Sequence, residues 1–315
     1  MSAHHRENIL PKLPQSVALH IGAHKTASTH LQQVFDNNKD LLIEEGIRFY
    51  GPKFLRMRGR GLSAMFNMSW SETPPARRNA HEQLEFLAKG QKRLVFSEEN
   101  FAGVLTNQDG RMPFMFYRFM PGKLEELAAA WAPIKPQIFL SVRNPASYMA
   151  SVYSQSLFSA PHVGPRTFRA RNDWRKVDWA DYVAQIRATP GLGDIIVWRQ
   201  EDYANNPRPV YRRMLRWRIG PKIETIDHLV HQGLSAPAVR LTLQRAVDGE
   251  SGKIASEARQ LLPVNEKNPP FKLYAASTLT AAEAIYEDQM AKISAMDGVQ
   301  VLYQPKDEGA GSNKG

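Results

Sequence analysis

Residues 19–32 read LHIGAHKTASTHLQ: the end of an apolar run, a glycine, a lysine, and a hydroxyl cluster that opens an amphipathic segment. The run Ser16–Ile21 predicts a strand that stops at Gly22. The stretch Ala27–Phe35 predicts a helix with Leu31, Val34 and Phe35 on one face. A strand, a tight loop and a helix in that order form an anion cradle, because the free N–H groups and dipole of a helix start favour phosphate or sulfate. Lys25, Thr26, Ser28 and Thr29 add further donors. The loop is not a Walker A sequence, which needs Gly, four residues, then Gly-Lys-Ser/Thr; here Lys25 follows Gly22 by three residues.

Apolar runs at Arg93–Ser97, Gln137–Val142 and Asp194–Trp198 predict further strands. Helical patterns around Arg77–Ala88, Lys123–Trp131 and Trp179–Arg187 separate them, and another follows Pro207. The alternation predicts an α/β fold, a doubly wound parallel sheet of about four to five strands flanked by helices. Helical patterns at Ala236–Val247, near Ile254–Leu262 and at Ala275–Met296 predict a helical C-terminal addition from about residue 235. Residues 50–73 and 104–122 lack periodicity and predict long loops near the site. The expected division is an N-terminal extension over 1–15, one domain over 16–303 and a disordered tail over 304–315.

Two other strand ends carry candidate chemistry. Arg143, in SVRNPASYMASVYSQ (141–155), ends a strand where a guanidinium fork can meet a phosphate, and Pro145 can start the next helix. Ser151 lies about two helical turns further on, so both residues can face one ligand. In FSEEN (96–100), Glu98 and Glu99 leave a strand on the same sheet edge; a carboxylate raised by burial can take a proton at neutral pH. A capping or ion-pairing role is the competing expectation for either. His24 lies in the first loop, His20 in a strand and His30 in a helix, where packing roles are commoner; His4 and His5 lack spaced partners. Arg199 faces either a ligand or Glu201 and Asp202, and Ser235 is expected to cap a helix.

The first loop resembles the 5′-phosphosulfate loop of PAPS-dependent sulfotransferases, most closely bacterial members whose loop reads HIG-x-HKT-G-TT-x-LQ. Ala27 and Ser28 stand where that family usually has glycine and threonine. Residues 143–153 resemble its 3′-phosphate motif, R-N-P-x-x-x-x-x-S-x-Y, and 199–202 and 232–235 weakly resemble two later segments. The resemblance spans about Val17–Leu243. It implies a P-loop-like fold and sulfuryl transfer from PAPS (3′-phosphoadenosine 5′-phosphosulfate) to a hydroxyl or amine, leaving PAP. It also implies a donor site of Gly22, Ala23, His24, Lys25, Thr26, Ala27, Ser28 and Thr29 with Arg143 and Ser151. Lys25 and Glu98 are then the expected catalytic pair, with no metal. The expected acceptor is a glycan or small hydroxylated molecule, anionic by the basic loops.

Composition sets the remaining bounds. The 315 residues are 43% hydrophobic and 23% charged, enough for a large core. No cysteine is present, which excludes disulfides, thiolate metal sites and cysteine nucleophiles. The first fifteen residues lack the apolar run of a secretory leader, and no stretch approaches the roughly 18 apolar residues of a membrane span, so a cytoplasmic chain is expected. A net charge of +10 favours phosphorylated, sulfated or carboxylated partners. Basic clusters occur at Lys53, Arg56, Arg58 and Arg60, and at Arg166, Arg169, Arg171, Arg175 and Lys176. No recognised nucleic-acid motif accompanies this charge, so no nucleic-acid partner is expected. The rival expectations are a P-loop kinase-like ATP-dependent transferase and a non-catalytic nucleotide- or polyanion-binding protein. A kinase lacks support in the missing Gly-Lys-Ser/Thr and the missing strand-end aspartate for magnesium.

Overall fold

The computed structural model describes residues 12–105, 111, 117–226 and 233–303. His4, His5, Gln232, the tail over 304–315 and part of the 104–122 segment lie outside the described residues. Six strands form one parallel sheet: β1 (Ser16–His20), β2 (Ile47–Tyr50), β3 (Arg93–Ser97), β4 (Gln137–Val142), β5 (Ile195–Arg199) and β6 (Val299–Val301), in the order β2-β3-β1-β4-β5-β6. From β1 the chain crosses to one side and from β4 to the other, so the order reverses between them. In doubly wound sheets ligands bind at that reversal, outside the carboxyl ends of the strands.

Period-two alternation splits each central strand between two helical layers. Val17, Leu19, Leu94, Phe96, Ile138, Leu140, Ile195 and Val197 face a core shared with Leu84, Leu127, Trp131, Val152, Val183 and Ile293. Ala18, Val95, Phe139, Ile196 and Trp198 face the opposite core, with Leu31, Val34, Phe35, Val210, Tyr211 and Met214. Both faces are covered, which is why these strands read as continuous apolar runs.

The four strands expected from sequence are present within one residue at their ends, and the sheet has two more. Ile47–Tyr50 and Val299–Val301 occupy the two edges and are too short to stand out by periodicity. The segment 50–73 is not simply a loop: it contains short helices Pro52–Leu55 and Leu62–Met65. The helix that Pro145 was expected to start runs over Pro145–Ser156, whereas Lys39–Glu44 and Pro165–Arg171, the latter also opened by a proline in its first turn, are helices that periodicity did not mark. The C-terminal helices are not a mere appendage, since Ala276–Ser294 delivers β6 to the sheet. That helix is stitched down by Gln289, whose amide accepts from Trp179 N at 3.2 Å and donates to Val177 O at 3.0 Å.

Candidate functional site

The first loop sits on the sheet's carboxyl edge, held by the neighbouring strand end. Ala23 N donates to Ser141 O at 2.9 Å, and Ser141 N donates to Gly22 O at 2.6 Å. Gly22 has φ +94, and a Cβ there would lie 3.0 Å from Glu99 Cβ, so only glycine lets the loop pass this close to the end of β3. Lys25 and Ala27 also take left-handed backbone, φ 61 and φ 65, and Ala27 immediately precedes the helix Ser28–Asn37. Left-handed backbone costs a residue with a Cβ about 1–2 kcal/mol. Glycine, which lacks that cost, therefore suits position 27.

Two of the expected hydroxyl donors turn inward. Thr26 Oγ1 donates to Ala23 O at 2.6 Å and Ser28 Oγ donates to the same carbonyl at 3.2 Å, so both side chains fasten the loop to itself. Thr29 lines an open cleft of about 800 Å³, together with His24, Lys25, Ala27, Ser28, Arg143 and Ser151. Seven of the ten expected donor-site residues therefore meet at one cavity, while Gly22, Ala23 and Thr26 do not line it. Ser147, Ser151 and Ser154, spaced for one face of the helix Pro145–Ser156, line its wall.

Arg143 is the most informative residue in the cleft. One terminal nitrogen donates to Lys25 O at 3.0 Å, while its Nε is buried without a partner. Burial lowers its pKa, with Glu201 and Tyr286 opposing. A buried unpaired donor costs about 1–3 kcal/mol, more when charged, and an anion in the cleft would recover that cost. Lys25 Nζ donates to Gln155 Oε1 at 3.2 Å, and its pKa is lowered by burial and then by Arg143 and Arg259. Positive charge is thus concentrated here without matching acid: Lys25, Arg56, Arg143, Arg259 and Lys272 line the cleft, and Glu99 is its one carboxylate among the described residues.

The paired glutamates divide their roles. Glu98 does not line the cleft; its carboxylate accepts Arg56 Nε at 2.9 Å and a terminal Arg56 nitrogen at 2.7 Å, and also caps Asn100 N at 3.0 Å. Glu99 lines the cleft, accepting Gln32 Nε2 at 2.7 Å and Arg56 at 2.8 Å. Burial pushes the Glu99 pKa up, but hydrogen bonds from Gln32 and the backbone and the Arg56 charge outweigh it and hold the group below its ordinary value. The raised carboxylate pKa expected at this strand end is therefore absent at Glu99, because a guanidinium and an amide stabilise the anion.

The histidines are occupied by structure. His24 Nε2–H donates to Asn100 Oδ1 at 3.0 Å, which leaves Nδ1 to accept from the Tyr117 hydroxyl at 2.7 Å; burial lowers its pKa and keeps the ring neutral. His30 donates from Nε2 to Ile226 O at 2.9 Å and accepts from the Tyr203 hydroxyl at 2.8 Å. His20 is buried beside Ser97. Arg199 does not line the cleft; its direct ion pair is with Glu287 and its guanidinium lies 5.0 Å from the Tyr286 ring centroid, while Asp202 attracts it without a direct bond. Ser235 caps its helix by accepting Ala238 N at 3.1 Å.

Residues missed from sequence complete the cleft. Asn100, Gln155, Phe158, Arg259, Lys272 and Tyr274 line it, and the Arg259 guanidinium lies 4.9 Å from the Phe158 ring centroid. Of the two basic clusters, only Arg56 reaches the cleft; Arg169 donates to Leu273 O at 3.3 Å and Arg175 pairs with Asp173 at 2.9 Å. Among the described residues no three His, Asp or Glu side chains are grouped as metal ligands, and no helix is long and apolar enough to cross a membrane.

No family model and no curated protein matches this chain. Among solved structures, a sulfotransferase from Alicyclobacillus acidocaldarius is similar at 14% identity and a TM-score of 0.37, over 81% of this chain and 97% of that one.

Proposed function

We propose that the chain is a sulfotransferase that takes the sulfuryl group of PAPS to a hydroxyl or amine, with a glycan as the expected acceptor. The observation that carries this reading is Arg143, half-buried at a cation-rich cleft with its Nε buried and without a partner, beside a P-loop-like turn that is not a Walker A loop. The loop N–H groups and Lys25 take the 5′-phosphosulfate, and Arg143 with Ser151 takes the 3′-phosphate. Arg259 and Lys272 add charge from the far wall.

In the transfer step the acceptor oxygen or nitrogen attacks sulfur, and the bond between sulfur and the bridging oxygen of PAP breaks. Lys25 offsets the charge that gathers on that oxygen, and the loop N–H groups hold the sulfuryl oxygens. Glu99, ionised at neutral pH and lining the cleft, takes the acceptor's proton in the role expected of Glu98. Glu98 instead fixes Arg56, which orients Glu99.

Calorimetric titration with PAP and with ATP, each with magnesium and again with a metal chelator, tests the reading. Selective binding of PAP supports it. Equal binding of ATP, or ATP binding that requires magnesium, removes it in favour of an ATP-dependent transferase.

A further inference from the structure

A second concentration of positive charge lies away from the cleft. The helix Arg208–Leu215 ends at Arg216, which has φ 86, and residues 216–218 are all exposed between buried Leu215 and Ile219. Trp217 stands 71% exposed at this turn, and the Arg218 guanidinium lies 5.2 Å from its ring centroid. Arg212, on the last helical turn, is exposed as well. Among the described residues no carboxylate pairs with Arg212, Arg216 or Arg218. Asp194 is engaged by Arg213 at 3.1 Å, and Glu45 by Lys222.

The charge continues inward. Arg93 is 5% exposed and donates to Met214 O at 2.9 Å and to Ser16 Oγ and Gln137 Oε1 at 3.0 Å, with no acid among its partners. Lys135 lines the shallow hollow beside it. Burial first, then repulsion from Arg216 and Arg213, together lower the Arg93 pKa to about 10, so the turn and the hollow share one electropositive face.

Tryptophan beside uncompensated arginine is the composition of a bilayer interface, where the indole settles at headgroup level and the guanidinium groups meet lipid phosphates. Single-stranded nucleic acid calls instead for a groove with several stacking rings; here one ring projects from the surface. We propose that this turn docks on a membrane surface rich in anionic phospholipid, with Trp217 in the headgroup layer and Arg212, Arg216 and Arg218 on phosphates. Arg93 opens β3 and Glu99 follows its end, so the docking face and the cleft lie at opposite edges of the sheet. The inference does not depend on which reaction the cleft performs.

Co-sedimentation of the full chain with phosphatidylglycerol-containing vesicles, beside pure phosphatidylcholine vesicles, tests it. The chain is expected on the anionic vesicles alone and to be released by high salt. Arg212→Gln/Arg216→Gln/Arg218→Gln is expected to weaken binding roughly a hundredfold. A control of equal charge change at exposed positions elsewhere, Arg77→Gln/Arg166→Gln/Lys176→Gln, is expected to retain most of it. Trp217→Phe is expected to abolish the blue shift in emission on vesicle addition. All seven positions are exposed, so folding is not at risk. Absence of anionic vesicle binding, equal binding to neutral vesicles, or an equal loss in the control overturns the proposal. RNA binding that the first triple variant loses, without vesicle binding, overturns it in favour of nucleic acid.

Discussion

Acidification from neutral pH destabilises this fold through His20. The ring is 1% exposed, stacked on Trp198 at a centroid distance of 5.6 Å, with Nδ1 2.7 Å from Ser97 Oγ and Nε2 without a partner. Burial lowers its pKa from 6.5 to about 4, and attraction from Glu99 offsets only part of this. An unfolded chain binds the proton as pH falls below 6.5, whereas the folded chain does so only near 4, so the unfolded state holds more protons in that window and stability drops with pH. At about 1.4 kcal/mol per pH unit, the full gap amounts to roughly 3 kcal/mol. His24, also lowered by burial, acts in the same direction. Glu99 acts in a lower range: its depressed pKa gives stability that is lost only as pH falls below the ordinary carboxylate value. Denaturant unfolding of wild type and His20→Gln at pH 7 and pH 4.5 separates the His20 contribution. The variant retains an amide for Ser97 and is expected to start less stable at pH 7 and to lose about 2–3 kcal/mol less on acidification. An identical loss in both proteins would refute the assignment of acid sensitivity to this ring.

Two further outcomes follow from the site. Glu99→Gln is expected to lower the transfer rate about 10²–10⁴-fold with donor binding retained, as for loss of a general base, while Glu98→Gln gives a smaller loss by loosening Arg56; single-turnover assays with any accepted substrate compare them, and a larger effect at Glu98 reverses the assignment. Ala27→Gly removes a left-handed alanine but loosens the unfolded chain, for a net gain of about 0.5–1 kcal/mol. A thermal midpoint raised by about 1–3 °C, measured by calorimetry, is expected, and a fall contradicts the strain argument.

The four central strands were legible because both faces are buried and their sequences are unbroken apolar runs. Ile47–Tyr50 and Val299–Val301 were not, since an edge strand of three or four residues needs little pattern of its own. The first loop and Arg143 could be read from sequence because each lies directly after a strand, where topology dictates the direction of approach. Choosing between Glu98 and Glu99 turns on one residue at the end of β3, and a shift of one along extended chain exchanges faces; only Gly22 packing against Glu99, 3.0 Å from where its own Cβ would sit, fixes which carboxylate borders the loop. Arg259 and Lys272 reach the cleft from more than a hundred residues beyond Arg143, through the return of the C-terminal segment over the sheet edge. No local motif marks such a return. The hydroxyls of Thr26 and Ser28 show the reverse case, in which a motif position was recognised but its side chain serves the loop itself.

The central claim is that the cleft holds a 3′-phosphorylated nucleotide with Arg143 on the 3′-phosphate. Calorimetric affinities of PAP and of 5′-AMP, which lacks that group, for wild type and Arg143→Ala form a cycle that isolates the contact. The account predicts that wild type prefers PAP by a margin that shrinks by about 1.5–3 kcal/mol in Arg143→Ala, with 5′-AMP binding little changed. An equal preference for PAP in both proteins, or no preference in wild type, would contradict it.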